Sequence, residues 1–201
     1  MPQRRGPRDV DAAVATAAAA AFVASAAAFR RPPGAHELRW FTVVNEWPDS
    51  RLIRVPQQLG TPWTLPVAGA CLWMAGRPRE GAAAAVALPL VKFVEVRVKL
   101  FLGRPRPLYE TPTILRDDAP LEGPSFPSGH AAIAAATAYL VGRAVPPTAL
   151  PLAALTVVAA LVRVHQGAHW LSDALGGGAL GIAVAASVRR IALARPERGV
   201  P

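Results

Sequence analysis

Six apolar stretches, each closed by arginine, glycine or proline, set the pattern of this chain. They run from Ala12 to Phe29, Trp63 to Ala75, Ala82 to Leu102, Ala131 to Val141, Ala149 to Val162 and Asp173 to Val188. Runs of this kind, long and poor in charge, predict helices that cross a bilayer. The expected fold is all-α, a polytopic membrane bundle of about six transmembrane helices. The first run is rich in alanine, which inserts weakly, so that helix needs neighbours to pack on. It also has the look of a cleaved signal peptide, with a basic start and Ala24-Ser25-Ala26; Arg30 and Arg31 directly after it favour a retained helix. The second run is short for a full span.

The third run carries Lys92, Glu95, Arg97 and Lys99 in its second half. Ionisable groups at membrane depth face a bundle interior or a polar cavity. Glu95 is spaced to pair with Lys92 or Lys99 on a helix. The plainer alternative is a helix that ends near Val91 with interfacial charges beyond it. Gly177 and Gly181 in the sixth run form a G-x-x-x-G spacing, which lets two helix backbones approach closely.

Between the runs, residues 34–60 mix aromatic and charged positions: Trp40, Phe41, Trp47, Arg51 and Arg54. They read as an interfacial segment or an ordinary amphipathic connection, with His36 solvated. Gly103, Pro105 and Pro107 take the chain out of the third helix. A polar loop over 108–126 follows, with Asp117, Asp118 and Glu122. The expected organisation is a basic tail at 1–11, a membrane domain at 12–193 and a basic tail at 194–201.

Composition then narrows the partners. The chain of 201 residues is 52% hydrophobic and only 17% charged, yet its net charge is +9. A basic balance suits nucleic acid or a membrane with basic loops. The arginines punctuate run ends instead of forming one stripe, which favours the bilayer and excludes nucleic acid. The single Cys71 excludes an intramolecular disulfide and a cysteine zinc site; it reads as a small core or lipid-facing residue.

With six helices, parity puts the loop after the third and the loop between the fifth and sixth on one membrane face. Lys99, Arg106 and Arg163 then converge as cations, with arginine geometry suited to phosphate. Ser128 and Gly129 open a helix, whose start offers backbone amides to an anion. His130 and His169 supply two imidazoles. Asp173 follows His169 by four residues and shares its face on a helix. Phosphoryl transfer needs these parts. No acidic cluster fits Mg²⁺, so neither a metal nor a cofactor is expected. Gly167 supplies a break that lets His169 and Arg163 face one phosphate.

Lys99-x6-Arg106-Pro107, Pro127-Ser128-Gly129-His130 and Arg163-x5-His169-x3-Asp173 together resemble the three-part signature of the type 2 phosphatidic acid phosphatase (PAP2) superfamily of membrane lipid phosphatases and vanadium haloperoxidases. The resemblance covers roughly residues 60–190. It departs at Val162, where the family usually has serine; a modest effect is expected. The resemblance implies that His169 is the nucleophile and forms a phosphohistidine. It implies that Asp173 orients it, and that His130 protonates the leaving oxygen and then activates water. Lys99, Arg106, Ser128, Gly129 and Arg163 would hold the phosphate. Arg104 and His165 fit no family role and read as rim candidates, a solvated arginine and a satisfied loop histidine being the plainer readings. Trp170 reads as an interface residue.

The implied activity is hydrolysis of a lipid phosphate: a polyprenyl diphosphate such as undecaprenyl diphosphate, phosphatidic acid, phosphatidylglycerol phosphate or a prenyl-phosphoryl sugar. The weak preference is for a polyprenyl substrate. Arg4, Arg5, Arg8, Arg77, Arg79, Arg143, Arg189, Arg190, Arg195 and Arg198 fall on the face opposite the site. This bias favours termini inside the cell and an extracytoplasmic site, although Arg30, Arg31, Arg39, Arg51, Arg54 and Arg116 share the site face. The expected location is the cell membrane, and a homodimer is left open. The competing class is a non-catalytic membrane protein that binds or moves anionic lipid. A haloperoxidase is disfavoured, since nothing in the chain suggests peroxide chemistry.

Overall fold

The computed structural model describes residues 6–28, 33–116 and 119–194. The basic residues Arg4, Arg5, Arg30, Arg31, Arg195 and Arg198 and the loop acids Asp117 and Asp118 lie outside them. The described residues form helices and no strand: α1 (Pro7–Ala28), α2 (Ala35–Asn45), α3 (Thr64–Met74), α4 (Pro78–Leu102), α5 (Gly129–Ala144), α6 (Ala149–His165) and α7 (Leu171–Ala192). Short 3-10 turns lie at Arg51–Arg54, Pro56–Gly60, Pro107–Tyr109 and Pro146–Thr148. The fold is an all-α membrane bundle. The six apolar runs are α1 and α3 to α7, while α2 and two of the 3-10 turns occupy the aromatic segment. Three stretches are long and apolar enough to cross a bilayer: Pro7–Ala28, Pro146–His165 and Leu171–Ala192. Helix α3 has 11 residues, about 16 Å at the helical rise.

The bundle extends further toward the N-terminus than the charge pattern suggests. Helix α1 begins at Pro7, and Asp11 is 0% exposed. Its carboxylate accepts from the Tyr139 hydroxyl at 2.6 Å and from the Arg189 guanidinium, and Arg143 lies 3.6 Å away. A buried carboxylate is tolerated only with such partners. Residues 7–11, expected as tail, therefore belong to the bundle. At its other end α1 stacks Phe22 on Phe126, ring centres 5.9 Å apart. These contacts build α1 into the fold.

Helix α4 runs unbroken through Pro89 to Leu102, so its charges lie within the helix and not beyond an end near Val91. Glu95 takes both candidate partners, Lys92 at 2.7 Å and Lys99 at 2.6 Å. Small residues let α5 and α7 touch. A Cβ on Gly177 would lie 2.3 Å from the Ser128 carbonyl, and one on Gly181 2.0 Å from that of Ala132. The G-x-x-x-G pair is thus a packing device. Leu65, Ala84, Val91, Ile133, Leu140 and Leu180 fill the core between α3, α4, α5 and α7. Cys71 is exposed on α3.

Candidate active site

The C-terminal ends of α4 and α6 and the N-terminal ends of α5 and α7 meet at one end of the bundle, and the signature residues lie there. Helix α6 stops in a Schellman turn. Gly167, at φ +77°, donates to the Val164 carbonyl at 2.9 Å, and Ala168 to that of Arg163 at 3.1 Å. This reversal brings His169 back toward the last turn of α6, as expected of the break.

His169 is 3% exposed, and its Nδ1 lies 3.5 Å from Asp173 Oδ2. That spacing is longer than a hydrogen bond. The carboxylate has other partners. Asp173 Oδ2 accepts the Trp170 backbone N–H at 2.8 Å, and Oδ1 accepts Arg104 Nη1 at 2.6 Å. Arg104 Nη2 in turn reaches Glu37 on α2 at 2.6 Å, and Ser172 donates to the same carboxylate. Burial, with the nearby guanidiniums of Arg163 and Arg106, lowers the His169 pKa to about 4, against the opposing pull of Asp173. The imidazole is therefore neutral at pH 7. With Nδ1 turned to the carboxylate, Nε2 is the nitrogen left for chemistry.

Arg106 fixes the loops around this histidine. It donates to the carbonyls of Ala168 at 2.6 Å, Glu122 at 3.0 Å and Pro124 at 3.3 Å. A guanidinium has five N–H donors, so it can position His169 and still offer donors to an anion. Ser128 joins α5 to α7: its N–H donates to the Asp173 carbonyl at 3.0 Å. Its hydroxyl caps α5 through Ala131 N–H at 3.4 Å. A Cβ on Gly129 would lie 2.4 Å from Glu95 Oε1, so the buried carboxylate that holds Lys99 sits against the start of α5. Lys99 is thereby set beside that helix start.

Arg163 donates to Gln166 at 2.6 Å and to Gln57 at 3.3 Å. It lines a cleft of about 350 Å³ with His130, Gln57, Gln58 and Thr61. His130 is within electrostatic reach of His169, Arg163 and Glu95. The structure thus gathers all eight signature residues, two imidazoles and three cations among them, around one end of the bundle. Among the described residues no cluster of three metal-type ligands occurs.

Two residues differ from their expected settings, while His165 is hydrogen-bonded as its plainer reading had it, on a helix end instead of in a loop. Arg104 is not a rim residue: it is 1% exposed and holds Asp173. Trp170 does not sit at an interface but is buried against Phe41, ring centres 5.1 Å apart, and donates to the Pro105 carbonyl at 3.1 Å. His165 ends α6 in the interior, with Nε2 3.0 Å from the Trp47 carbonyl. Its own carbonyl accepts from Asn45 at 2.9 Å and from Arg116. Glu37, Asn45 and Gln57 from the aromatic segment were not foreseen. Each reaches the site across 60 residues or more of sequence, and no local pattern marks them.

Comparison with known proteins bears on the family and the fold. A PAP2 superfamily model matches residues 80–197. Decaprenylphosphoryl-5-phosphoribose phosphatases from two strains of Mycobacterium tuberculosis are 39% identical over 114 residues, 56% of this chain and 61% of theirs. The match thus spans less than two thirds of those relatives. A transmembrane PAP2-type phosphatidylglycerolphosphate phosphatase from Bacillus subtilis has the same fold, with a TM-score of 0.67 and 22% identity over 87% of this chain and 93% of its own. The signature is in place, the family pattern covers well over half of the sequence, and the chain belongs to the PAP2 superfamily.

Proposed function

We propose that this protein is an integral membrane phosphatase that removes a phosphate from a lipid by a metal-independent phosphohistidine mechanism. The observation that carries the reading is His169, buried and neutral, with Nδ1 facing Asp173 at 3.5 Å and with Arg163 and Arg106 acting on the same ring. His169 Nε2 attacks phosphorus in line, the bond to the leaving oxygen breaks, and His130 gives that oxygen a proton. Water then attacks the phosphohistidine while His130 takes its proton, and inorganic phosphate leaves. Lys99, Arg106, Arg163 and the first amides of α5 at Gly129 and His130 stabilise the charge that develops on the equatorial oxygens.

Six helices, α1 and α3 to α7, cross the cell membrane in this reading. The basic cluster of Arg77, Arg143, Arg189 and Arg190 faces the cytoplasm and the site faces outward. The substrate is a lipid whose phosphate reaches the membrane surface. The names of the relatives support this class, one a polyprenyl-linked sugar phosphate and the other a glycerophospholipid. The test is phosphate release by purified protein from lipid phosphates in mixed micelles. His169→Ala should abolish it. Equal, slow release by both proteins would favour a non-catalytic lipid-binding protein.

A further inference from the structure

The leaving-group side of the cleft has its own chemistry. In the phosphatase reading, on which this inference rests, His130 protonates the leaving oxygen, so whatever lies beside His130 meets the leaving group. That neighbour is the Pro56–Gly60 turn with Thr61. A Cβ on Gly60 would lie 2.5 Å from the His130 carbonyl and 2.8 Å from its Cβ, so the turn is seated directly on the start of α5. Its edge is held firm at one point. The Gln58 carbonyl accepts Thr61 N–H at 3.1 Å, Thr61 Oγ1 at 2.9 Å and Thr64 Oγ1 at 2.9 Å.

The groups this edge presents are amides and a hydroxyl. The residues lining the cleft are Gln57, Gln58, Thr61, His130 and Arg163. Among the described residues, Arg163, assigned to the transferred phosphate, is the one arginine or lysine in that lining, and the lining holds no carboxylate. A polyprenyl diphosphate would leave as an ionised phosphate, which calls for a further cation at this edge. Phosphatidate would leave as a diacylglycerol, which offers ester oxygens and no hydroxyl besides the leaving oxygen itself. Side-chain amides instead complement alcohols, since they both donate and accept, and the Thr61 hydroxyl, whose proton goes to the Gln58 carbonyl, can still accept.

We infer that the Gln58 and Thr61 edge is a leaving-group subsite that selects lipids whose phosphate sits on a hydroxyl-bearing headgroup, a sugar or a glycerol. Gln57, which accepts from Arg163, aligns the phosphate-holding cation with that edge. The volume, about 350 Å³, is within the usual range for small-molecule pockets of about 300–1,000 Å³.

The experiment measures kcat/KM of the full chain in detergent on four substrates: a polyprenyl-phosphoryl pentose phosphate, phosphatidylglycerol phosphate, phosphatidate and a polyprenyl diphosphate. Wild type should favour the first two, and their relative rates distinguish sugar from glycerol. In Thr61→Val and Gln58→Leu the ratio of hydroxylated substrate to phosphatidate should fall roughly five- to tenfold, the size of one lost neutral hydrogen bond. Thr61→Ser should restore the ratio. A wild-type preference for the diphosphate, a ratio unmoved by both variants, or an equal loss on all substrates would overturn the subsite. Absence of phosphate release by wild type from every substrate would instead overturn the phosphatase reading, and the subsite with it.

Discussion

Arg104 Nη1 and Asp173 Oδ1 lie 2.6 Å apart with both side chains buried. This pair, not solvent, holds the carboxylate that faces His169. Removing one partner of a buried ion pair leaves the other uncompensated. Arg104→Ala should therefore destabilise the protein by about 3–5 kcal/mol, read as the midpoint shift of unfolding in detergent. Arg104→Lys keeps the charge but loses the fork to Asp173, Ser172 and Glu37. It should recover part of the stability and less of the activity.

The pH profile follows from His169. Burial pushes its pKa down to about 4, helped by Arg163 and Arg106 and opposed by Asp173. The nucleophile must be neutral, so it is active above that value and protonated below it. Corrected for ionisation of the substrate and of the proton donor His130, kcat/KM should stay level from pH 7 to 5 and fall near pH 4. Asp173→Asn removes the opposing influence and should move the acid limb lower while cutting the rate. Stability has the same sign. The folded pKa lies below the unfolded value of about 6.5. The unfolded chain thus binds the proton first, and stability drains away as pH falls from there toward 4.

Adjacent glycines on α7 should behave oppositely. A Cβ on Gly177 would meet the Ser128 carbonyl at 2.3 Å, while one on Gly178 meets nothing within 4 Å. Gly177→Ala must push α5 from α7, with a penalty of about 1–3 kcal/mol, and shifts the turn that carries His130. Gly178→Ala should instead stabilise the helix by about 0.5–1 kcal/mol. Thermal unfolding and phosphate release of the two variants check both halves.

A site built on Lys99, Arg106 and Arg163 should work without a divalent ion. Phosphate release should survive EDTA, and vanadate should inhibit competitively as a phosphate mimic. Strict dependence on Mg²⁺ would contradict the cation-only site.

Much of this was legible in the sequence because it is local. Apolar runs with basic ends mark α1 and α3 to α7, Gly167 marks the break after α6, and Gly177 with Gly181 marks the α5–α7 contact. The signature residues are likewise local in each of their three parts. What escaped is the support around them. Arg104 looked like one more loop arginine between Gly103 and Pro105, yet it reaches Asp173 and Glu37 across nearly 70 residues. Asp11 sat among tail charges, but Arg189 at the far end of the chain makes its burial tolerable. Gln57 belongs to a segment whose aromatics suggested a membrane interface, and only the seating of Gly60 on His130 shows why it lines the cleft. Such pairs have no sequence period.

Trapping the covalent intermediate tests the central claim most directly. The protein is mixed rapidly with ³²P-labelled lipid phosphate, quenched, and analysed for label on the chain. The mechanism predicts an acid-labile, base-stable phosphoprotein at His169 in wild type. The label should accumulate in His130→Ala with a substrate whose leaving group needs no proton, and be absent in His169→Ala. Label that persists in His169→Ala, or turnover in wild type with no phosphohistidine at any time, would contradict it.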